Sequence, residues 1–303
     1  MPLFSGLSAF PLTPTDDNGR LIPEALARYI ERLAAAGVDS VGVLGSTGSY
    51  AYLTVAERKR TLRVAAEALG GRAPLIVSVG ALRTDQAEDL ARDAAEAGAD
   101  GLLLAPMSYQ KLTDAEVYQH FKAVTAAGDL PLCIYNNPGT TNFTFSHGLI
   151  ARLSRLPNVA GVKMPLPADG DFAGELAALR SMAAEGFRVG YSGDWGAKDA
   201  LLAGADAWFS VVAGLLPGPA LALARAARSG DAGLATRIDR AFGSMWALFK
   251  EFGSYRVMYA LADLLGEEGL APPRPVQPLA VEGYRKVEAA LKHLDRLMAL
   301  PGE

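Results

Sequence analysis

The chain has 303 residues, half of them hydrophobic, and a formal net charge of -4 at pH 7. That length and composition allow one large buried core, and the charge balance provides no basic surface for nucleic acid. No apolar run is long enough to cross a bilayer, and Met1–Gly6 lacks a signal-peptide pattern. The single cysteine, Cys133, has no partner within the chain for a disulfide, which favours a reducing compartment. We therefore expect a cytoplasmic protein whose partners are small molecules or copies of itself.

A unit of helix, glycine, short turn and apolar strand recurs along the chain. The clearest copies place Gly37, Gly98 and Gly204 between a helical pattern and an apolar strand. Eight strands are predicted, at residues 7–10, 40–44, 75–79 and 101–104, around Cys133 and Val162, and at 187–191 and 207–210. Helical spacing predicts helices at residues 22–36, 55–69, 86–97, 114–127, 149–153, 174–184, 197–203, 220–227, 232–252, 255–265 and 281–298.

Eight apolar strands alternating with helices predict a parallel sheet that is buried on both faces. At this chain length the pattern favours an α/β fold of the (β/α)₈ TIM-barrel type. An open doubly wound sheet is the alternative, but no Gly-x-Gly-x-x-Gly follows the first strand. Residues 1–216 are predicted to form the barrel core. Residues 217–303 are predicted to add the last barrel helix and a C-terminal helical extension within the same domain.

Two of the predicted strands each end in a reactive side chain followed by proline. Val159–Pro165 carries Lys163, and Leu132–Pro138 carries Tyr135. The carboxyl ends of barrel strands meet at one rim, where active sites lie. Burial disfavours the charged form of an amine and leaves neutral nitrogen free to attack a carbonyl. Each residue alone has an ordinary structural explanation, but their convergence predicts Lys163 as nucleophile and Tyr135 as acid and base.

A pair of hydroxyl residues between glycines, Gly45-Ser46-Thr47-Gly48, follows the second predicted strand at the same rim. Backbone N–H groups in such a loop converge on an anion, although most loops of this composition are only turns. Combined with the amine and the phenol, the loop suits a 2-oxo acid whose carboxylate is held while its ketone condenses with the lysine. The resulting iminium is an electron sink, so the reaction requires neither a metal nor another cofactor.

These segments resemble the pyruvate-dependent class I aldolase family that includes dihydrodipicolinate synthase and N-acetylneuraminate lyase. The similarity extends from residues 9–14 to residues 274–279. The resemblance implies that Lys163 forms the Schiff base, Tyr135 is the acid/base and Ser46 passes protons. It further implies a homotetramer or homodimer. The substrate-binding positions that it implies are Thr47, Gly45, Gly48, Thr140, Phe209 and Gly193.

The departures from the family pattern concentrate on the second substrate. Ser49 occupies the position of a glutamate, and Thr140 that of an arginine that holds the second substrate's carboxylate. A tyrosine from the neighbouring subunit usually completes the proton relay; here its position is Ser108, and Tyr109 follows. Phe209 is bulkier than the usual residue. We therefore expect the iminium-forming half of the site to be kept and the other half to be altered, with cleavage, condensation and dehydration all open.

Two further functions and several other features bear on this interpretation. The chain could be a 4-hydroxy-tetrahydrodipicolinate synthase proper, or a protein that binds a 2-oxo acid without turning it over, since the relay tyrosine is absent.

None of the three histidines belongs to an HxH or HExxH pattern, so no metal site is predicted, and His120 and His147 are expected to be solvated or capping. The basic run 58–60 is expected to form a solvated helix face.

Overall fold

Eight parallel strands close into a barrel in the order of the chain, with β8 beside β1. The computed structural model describes residues 2–267 and 269–299. The (β/α)₈ prediction is therefore confirmed, and the open doubly wound alternative is wrong. The strands are β1 (Gly6–Ala9), β2 (Ser40–Val43), β3 (Leu75–Ser78), β4 (Gly101–Leu104), β5 (Leu132–Tyr135), β6 (Val159–Met164), β7 (Arg188–Tyr191) and β8 (Ala207–Ser210).

Helices follow the strands, and three more helices extend the chain after the last barrel helix, α9. The helices are α1 (Pro23–Ala36), α2 (Val55–Leu69), α3 (Thr84–Glu96), α4 (Asp114–Gly128), α5 (Pro138–Thr141), α6 (His147–Leu153), α7 (Phe172–Met182), α8 (Ala197–Leu202), α9 (Pro217–Arg228), α10 (Ala232–Phe252), α11 (Ser254–Leu264) and α12 (Val281–Met298).

Helices α6 and α7 each begin two residues earlier than the apolar spacing predicts, because their starts are set by capping residues and not by the buried face. Helix α7 begins before residue 174, since the Asp171 carboxylate accepts a hydrogen bond from the Gly174 N–H at 2.9 Å. Likewise the Ser146 hydroxyl accepts from the Leu149 N–H at 3.1 Å and starts α6 two residues early. The short helix α5, which begins at a proline, was not predicted.

The barrel interior is filled by aromatic and aliphatic side chains, among them Phe10 and Phe209, which are 2% and 1% exposed. Two glycines make room for these rings. A Cβ atom on Gly42 would lie 2.3 Å from the Phe10 ring, and one on Gly190 would lie 2.7 Å from the Phe209 ring. The same two rings form the inner wall of the site described below.

Arg58 contradicts the prediction of a solvated basic face, because it is only 5% exposed. It lies on the side of α2 that also buries Leu62 and Ala65. Its guanidinium donates hydrogen bonds to the carbonyl oxygens of Gly80 and Ser78, both at 2.9 Å, and burial lowers its pKa to about 10. A buried guanidinium whose two terminal nitrogens donate to carbonyls at and just after the end of β3 is a tertiary feature that charge spacing along one helix does not reveal.

His120 is also buried, which contradicts its predicted solvated or capping role. Its Nδ1 lies 3.0 Å from the Thr84 hydroxyl, and burial lowers its pKa. His147 is the first residue of α6, and its Nε2 lies 3.8 Å from the Glu175 carboxylate. Within residues 2–267 and 269–299, no three His, Cys, Asp or Glu side chains cluster as metal ligands. Across the same described ranges, no helix has the length and apolarity to span a membrane.

Candidate active site

Lys163 lies inside the barrel on β6, directly opposite Tyr135 in the β5–β6 register. The two side chains are 4% and 5% exposed. Lys163 Nζ lies 4.1 Å from the centroid of the Phe10 ring, 4.4 Å from that of Tyr135 and 5.6 Å from that of Phe209. The Asn136 N–H donates to the Lys163 carbonyl at 3.0 Å, which ties the ends of the two strands together. An amine thus stands among aromatic rings at the carboxyl end of the sheet.

The Tyr135 hydroxyl belongs to a small network of hydrogen bonds. It lies 3.1 Å from the Ser46 hydroxyl and accepts a hydrogen bond from Asn137 Nδ2 at 2.9 Å. The same amide nitrogen lies 3.4 Å from Ser46 Oγ. Asn137 was not predicted as a site residue, although its place two residues after Tyr135 in the motif was a usable signal. The two hydroxyls form a path along which a proton can pass between the barrel interior and the β2 loop, and the Asn137 amide orients them.

The loop 45–48 is held in a tight conformation. The Thr13 hydroxyl donates to the Gly48 carbonyl at 2.7 Å. A Cβ atom on Gly48 would lie 2.9 Å from the Leu44 backbone nitrogen, so no larger residue fits without moving the backbone. Leu44 and Ser49, on either side of the loop, have left-handed backbone angles, with φ of 58° and 61°. Such angles are unfavourable for side chains of this size and concentrate at functional sites.

These groups open into a cavity of about 700 Å³ at the rim of the barrel. Its wall includes predicted site residues from four of the strand-end segments. It also includes residues that were not predicted as site residues, from the loops after β6, β7 and β8 and from the C-terminal helices. The lining residues are Phe10, Ser46, Thr47, Tyr135, Asn137, Thr140, Lys163, Pro165, Leu166, Pro167, Ala168, Ser192, Gly193, Asp194, Trp195, Val211, Phe249, Gly253, Ser254 and Tyr255.

Some predicted site residues lie apart from the cavity wall. Phe209 packs behind the lysine, edge-on to Phe10 with ring centroids 6.1 Å apart. Ser108 donates to the carbonyl oxygen of Thr141 at 3.2 Å, and the Tyr109 side chain is 90% exposed. The groups within hydrogen-bond distance of the Tyr135 hydroxyl are instead Ser46 and Asn137. A relay role for Ser108 or Tyr109 stays a prediction.

The C-terminal helices contribute a wall of the cavity that sequence patterns did not indicate. Phe249 from α10 and Tyr255 from α11 line the cavity. The Tyr255 hydroxyl lies 2.7 Å from the Ser49 hydroxyl, so the helical extension is bonded to the residue that follows the glycine loop. Periodicity identifies these helices but not the element on which they dock, because that contact joins residues more than 200 positions apart.

Asp194 is a buried carboxylate whose hydrogen bonds are internal. It is 1% exposed and accepts hydrogen bonds from the Trp208 indole at 2.9 Å, the Val211 N–H at 3.1 Å and the Val212 N–H at 2.7 Å. Burial raises its pKa, against the opposing effect of these three donors. The arrangement ties the loop after β7 to the end of β8 and fixes the neighbouring Trp195 at the cavity.

A closed parallel barrel with a buried lysine opposite a tyrosine, both beside a glycine-bounded hydroxyl loop, defines an enzyme of the class I, Schiff-base aldolase type.

Comparison with known proteins gives the family. The model of the dihydrodipicolinate synthetase family matches residues 3–294, and the chain belongs to that family. A 4-hydroxy-tetrahydrodipicolinate synthase from an Acidovorax strain is 35% identical over 294 residues, 96% of each chain. The crystal structure of a dihydrodipicolinate synthase from Agrobacterium tumefaciens is 58% identical, with a TM-score of 0.95 over 96% of this chain and 98% of that one. A monomeric dihydrodipicolinate synthase variant is 26% identical, with a TM-score of 0.86 over 96% of each chain.

Proposed function

We propose that the chain is a lyase that forms a Schiff base between Lys163 and pyruvate or a closely related 2-oxo acid. The observation that carries the proposal is the pairing of Lys163 with Tyr135 across the β5–β6 register, with the tyrosine hydroxyl 3.1 Å from that of Ser46. Family membership supports the same chemistry. The reaction is aldol cleavage, aldol condensation or a related dehydration.

The proposed mechanism begins with the carboxylate of the 2-oxo acid in the loop 45–48, beside Thr47. Neutral Lys163 attacks the ketone carbon, and Tyr135 supplies the proton with which the carbinolamine loses water. The iminium draws electrons from the adjacent carbon, which releases a proton and becomes a nucleophilic enamine carbon. Asn137 holds the tyrosine hydroxyl by donating a hydrogen bond to it, and the Ser46 hydroxyl, which can both donate and accept, returns its proton. In the cleavage direction the same steps run backwards.

The alternative is 4-hydroxy-tetrahydrodipicolinate synthase itself, the activity for which the Acidovorax relative is named. The position of Thr140 favours the broader proposal. Thr140 lines the cavity, and no arginine occurs among the described residues that line it. A hydroxyl does not replace a guanidinium that binds a carboxylate through two parallel hydrogen bonds. Consumption of pyruvate with aspartate semialdehyde at a rate well above that with other aldehydes would favour the alternative.

The oligomeric state of the enzyme and its cellular compartment are also proposed. We infer a homotetramer or homodimer, as the family resemblance implies, and a cytoplasmic location, as the sequence pattern suggests. The related monomeric variant is a reason to test this by measuring the mass of the protein in solution. The buried, unpaired Cys133 is compatible with a reducing compartment.

Trapping with borohydride tests the nucleophile. Incubation with pyruvate and borohydride, followed by peptide mass analysis, should place a reduced adduct on Lys163. A Lys163→Met variant, which keeps an unbranched chain in the buried site, should give no adduct. Exposed Lys111 provides an internal comparison on the same chain. An adduct mainly on other lysines, or none with any 2-oxo acid, would contradict the proposal.

Exchange of the pyruvate methyl protons in D₂O, followed by proton NMR, tests the enamine without a second reactant. Exchange that depends on Lys163 supports an enzyme. Schiff-base trapping without exchange or turnover would favour the alternative of a protein that only binds a 2-oxo acid.

A further inference from the structure

The cavity has an inner part that accounts for the 2-oxo acid and an outer part that does not. The inner part holds Lys163, Tyr135 and the loop 45–48. The outer part is formed by the loop after β6, by Trp195 after β7 and by the C-terminal helices. A volume of about 700 Å³ is far more than a three-carbon acid fills, and it lies in the usual range for sites of larger ligands. The outer part therefore has room for a sizeable second reactant.

The outer wall is mainly apolar and aromatic. The largest apolar side chains that line it are Leu166, Trp195, Val211 and Phe249. Trp195 is 37% exposed and Phe249 is 3% exposed, so the first lies at the mouth and the second at the back. Aromatic walls of this kind favour flat or hydrocarbon groups, through burial of apolar surface and ring packing.

Fixed charge is scarce in this cavity. Of the described residues that line it, only Lys163 and Asp194 belong to the basic or acidic residue types. The lysine is committed to the 2-oxo acid, and both Asp194 oxygens already accept hydrogen bonds from Trp208, Val211 and Val212. A charged group that binds inside the cavity would lose water without gaining a partner from its wall, which is costly.

Four further hydroxyl side chains line the outer part, those of Thr140, Ser192, Ser254 and Tyr255, and the Thr140 hydroxyl donates to the Asn137 carbonyl at 3.4 Å. The Ser192 hydroxyl donates to the Met164 carbonyl at 3.1 Å, and the Tyr255 hydroxyl lies 2.7 Å from that of Ser49. Lys250 is not a lining residue; its ammonium lies 5.6 Å from the centroid of the Trp195 ring, at the cavity mouth. A reactant with several hydroxyls would therefore also find few unengaged partners in the wall.

We propose that the second reactant is an uncharged aldehyde bearing an aromatic or other apolar group. This proposal rests on the proposed Schiff-base function. In the condensing direction the enamine carbon of bound pyruvate attacks the aldehyde carbon, and the aldehyde oxygen takes a proton through Tyr135. Water then hydrolyses the iminium, which frees Lys163 and releases a 4-hydroxy-2-oxo acid. The water lost in forming the Schiff base is regained in this last step, so pyruvate and aldehyde together equal the product.

The test compares aldehydes of matched size and different polarity on the whole protein. Pyruvate is supplied with benzaldehyde, glyceraldehyde, succinic semialdehyde or aspartate semialdehyde, and the 4-hydroxy-2-oxo acid is measured. We expect kcat/KM for benzaldehyde to exceed that for each of the other three by about tenfold or more, as an apolar pocket discriminates. A preference for any of the charged or hydroxylated aldehydes would overturn the proposal.

A Trp195→Ala variant tests the wall itself. Its kcat/KM for benzaldehyde should fall about tenfold or more, because the lost ring contacts act on the aldehyde. The matched control is Leu82→Ala, which shortens an apolar side chain that is 63% exposed and lies outside the cavity wall. Thermal unfolding of each variant separates a folding defect from a binding defect. Unchanged benzaldehyde kinetics in a folded Trp195→Ala protein would also contradict the proposal.

Pyruvate proton exchange distinguishes the two possible failures. If exchange persists while benzaldehyde is rejected in favour of a polar aldehyde, the class of second reactant is wrong and the Schiff-base function stands. If neither exchange nor a trapped adduct is seen with pyruvate or another 2-oxo acid, the proposed function fails and this proposal fails with it.

Discussion

Replacing Tyr135 with phenylalanine removes one oxygen atom from the centre of the proposed mechanism. The ring remains, and with it the packing against Lys163, whose Nζ lies 4.4 Å from the ring centroid. What is lost is the hydroxyl that lies 3.1 Å from Ser46 Oγ and accepts from Asn137 Nδ2 at 2.9 Å. We therefore expect a large effect on catalysis and a small one on folding.

The two effects differ enough in size to be separated. Loss of a positioned acid and base typically slows a reaction by about 10² to 10⁴, which corresponds to about 2.7 to 5.4 kcal/mol of activation free energy. Loss of a hydrogen bond costs about 0.5 to 1.5 kcal/mol of unfolding free energy. Here the cost should be near the lower end, because Asn137 and Ser46 are already 3.4 Å apart and can pair with each other.

The assay is the rate of pyruvate methyl-proton exchange, together with the rate of borohydride-trapped adduct formation, and both should fall in Tyr135→Phe. Thermal unfolding should shift by only a few degrees, as about 1 kcal/mol implies for a chain of this size. The matched control is Tyr29→Phe. Tyr29 is fully buried, and its hydroxyl has no hydrogen-bond partner in the part of the chain that the structure describes. Near-normal exchange in Tyr135→Phe, or an equal loss in the control, would refute a proton-transfer role for Tyr135.

Two further predictions concern the loop and the folded state. Gly48→Ala places a methyl group 2.9 Å from the Leu44 backbone nitrogen, so pyruvate binding, measured by titration calorimetry, should weaken at least tenfold; unchanged affinity would argue against the loop as the carboxylate site. Burial lowers the pKa of His120 below 6.5, so the unfolded chain binds more protons as the pH falls through that value, and native stability is lost there. The free energy of unfolding, measured with denaturant at about pH 7 and about pH 5.5, should fall less in His120→Gln than in the unchanged protein. The two falls should differ by at most about 1.4 kcal/mol per pH unit. Equal falls in the two proteins would contradict this prediction.

The sequence predicted the catalytic half of the site better than its outer half, for a physical reason. Lys163 and Tyr135 each stand near the carboxyl end of a buried strand, and parallel strands bring such ends to one rim. Only local pattern and topology are needed for that inference. Phe249 and Tyr255 reach the cavity through the docking of helices, which depends on side-chain fit between distant segments. Arg58 shows the same limit, because its burial depends on strand carbonyls that helical spacing does not reveal.

The two halves of the cavity are supported differently, and this bears on how such a site changes its second substrate. Lys163 stands on a strand that is hydrogen-bonded on both sides, so its position is fixed by the barrel. Trp195 stands on a short 3₁₀ helix after β7 and Phe249 on α10, where replacement leaves the strand ladder intact. Ser49, which departs from the family's glutamate, is the residue bonded to Tyr255 of the outer wall. The Ser49 hydroxyl therefore fastens a C-terminal helix beside the glycine loop, and a replacement at this position would act on the outer wall while leaving the strand that carries Lys163 intact.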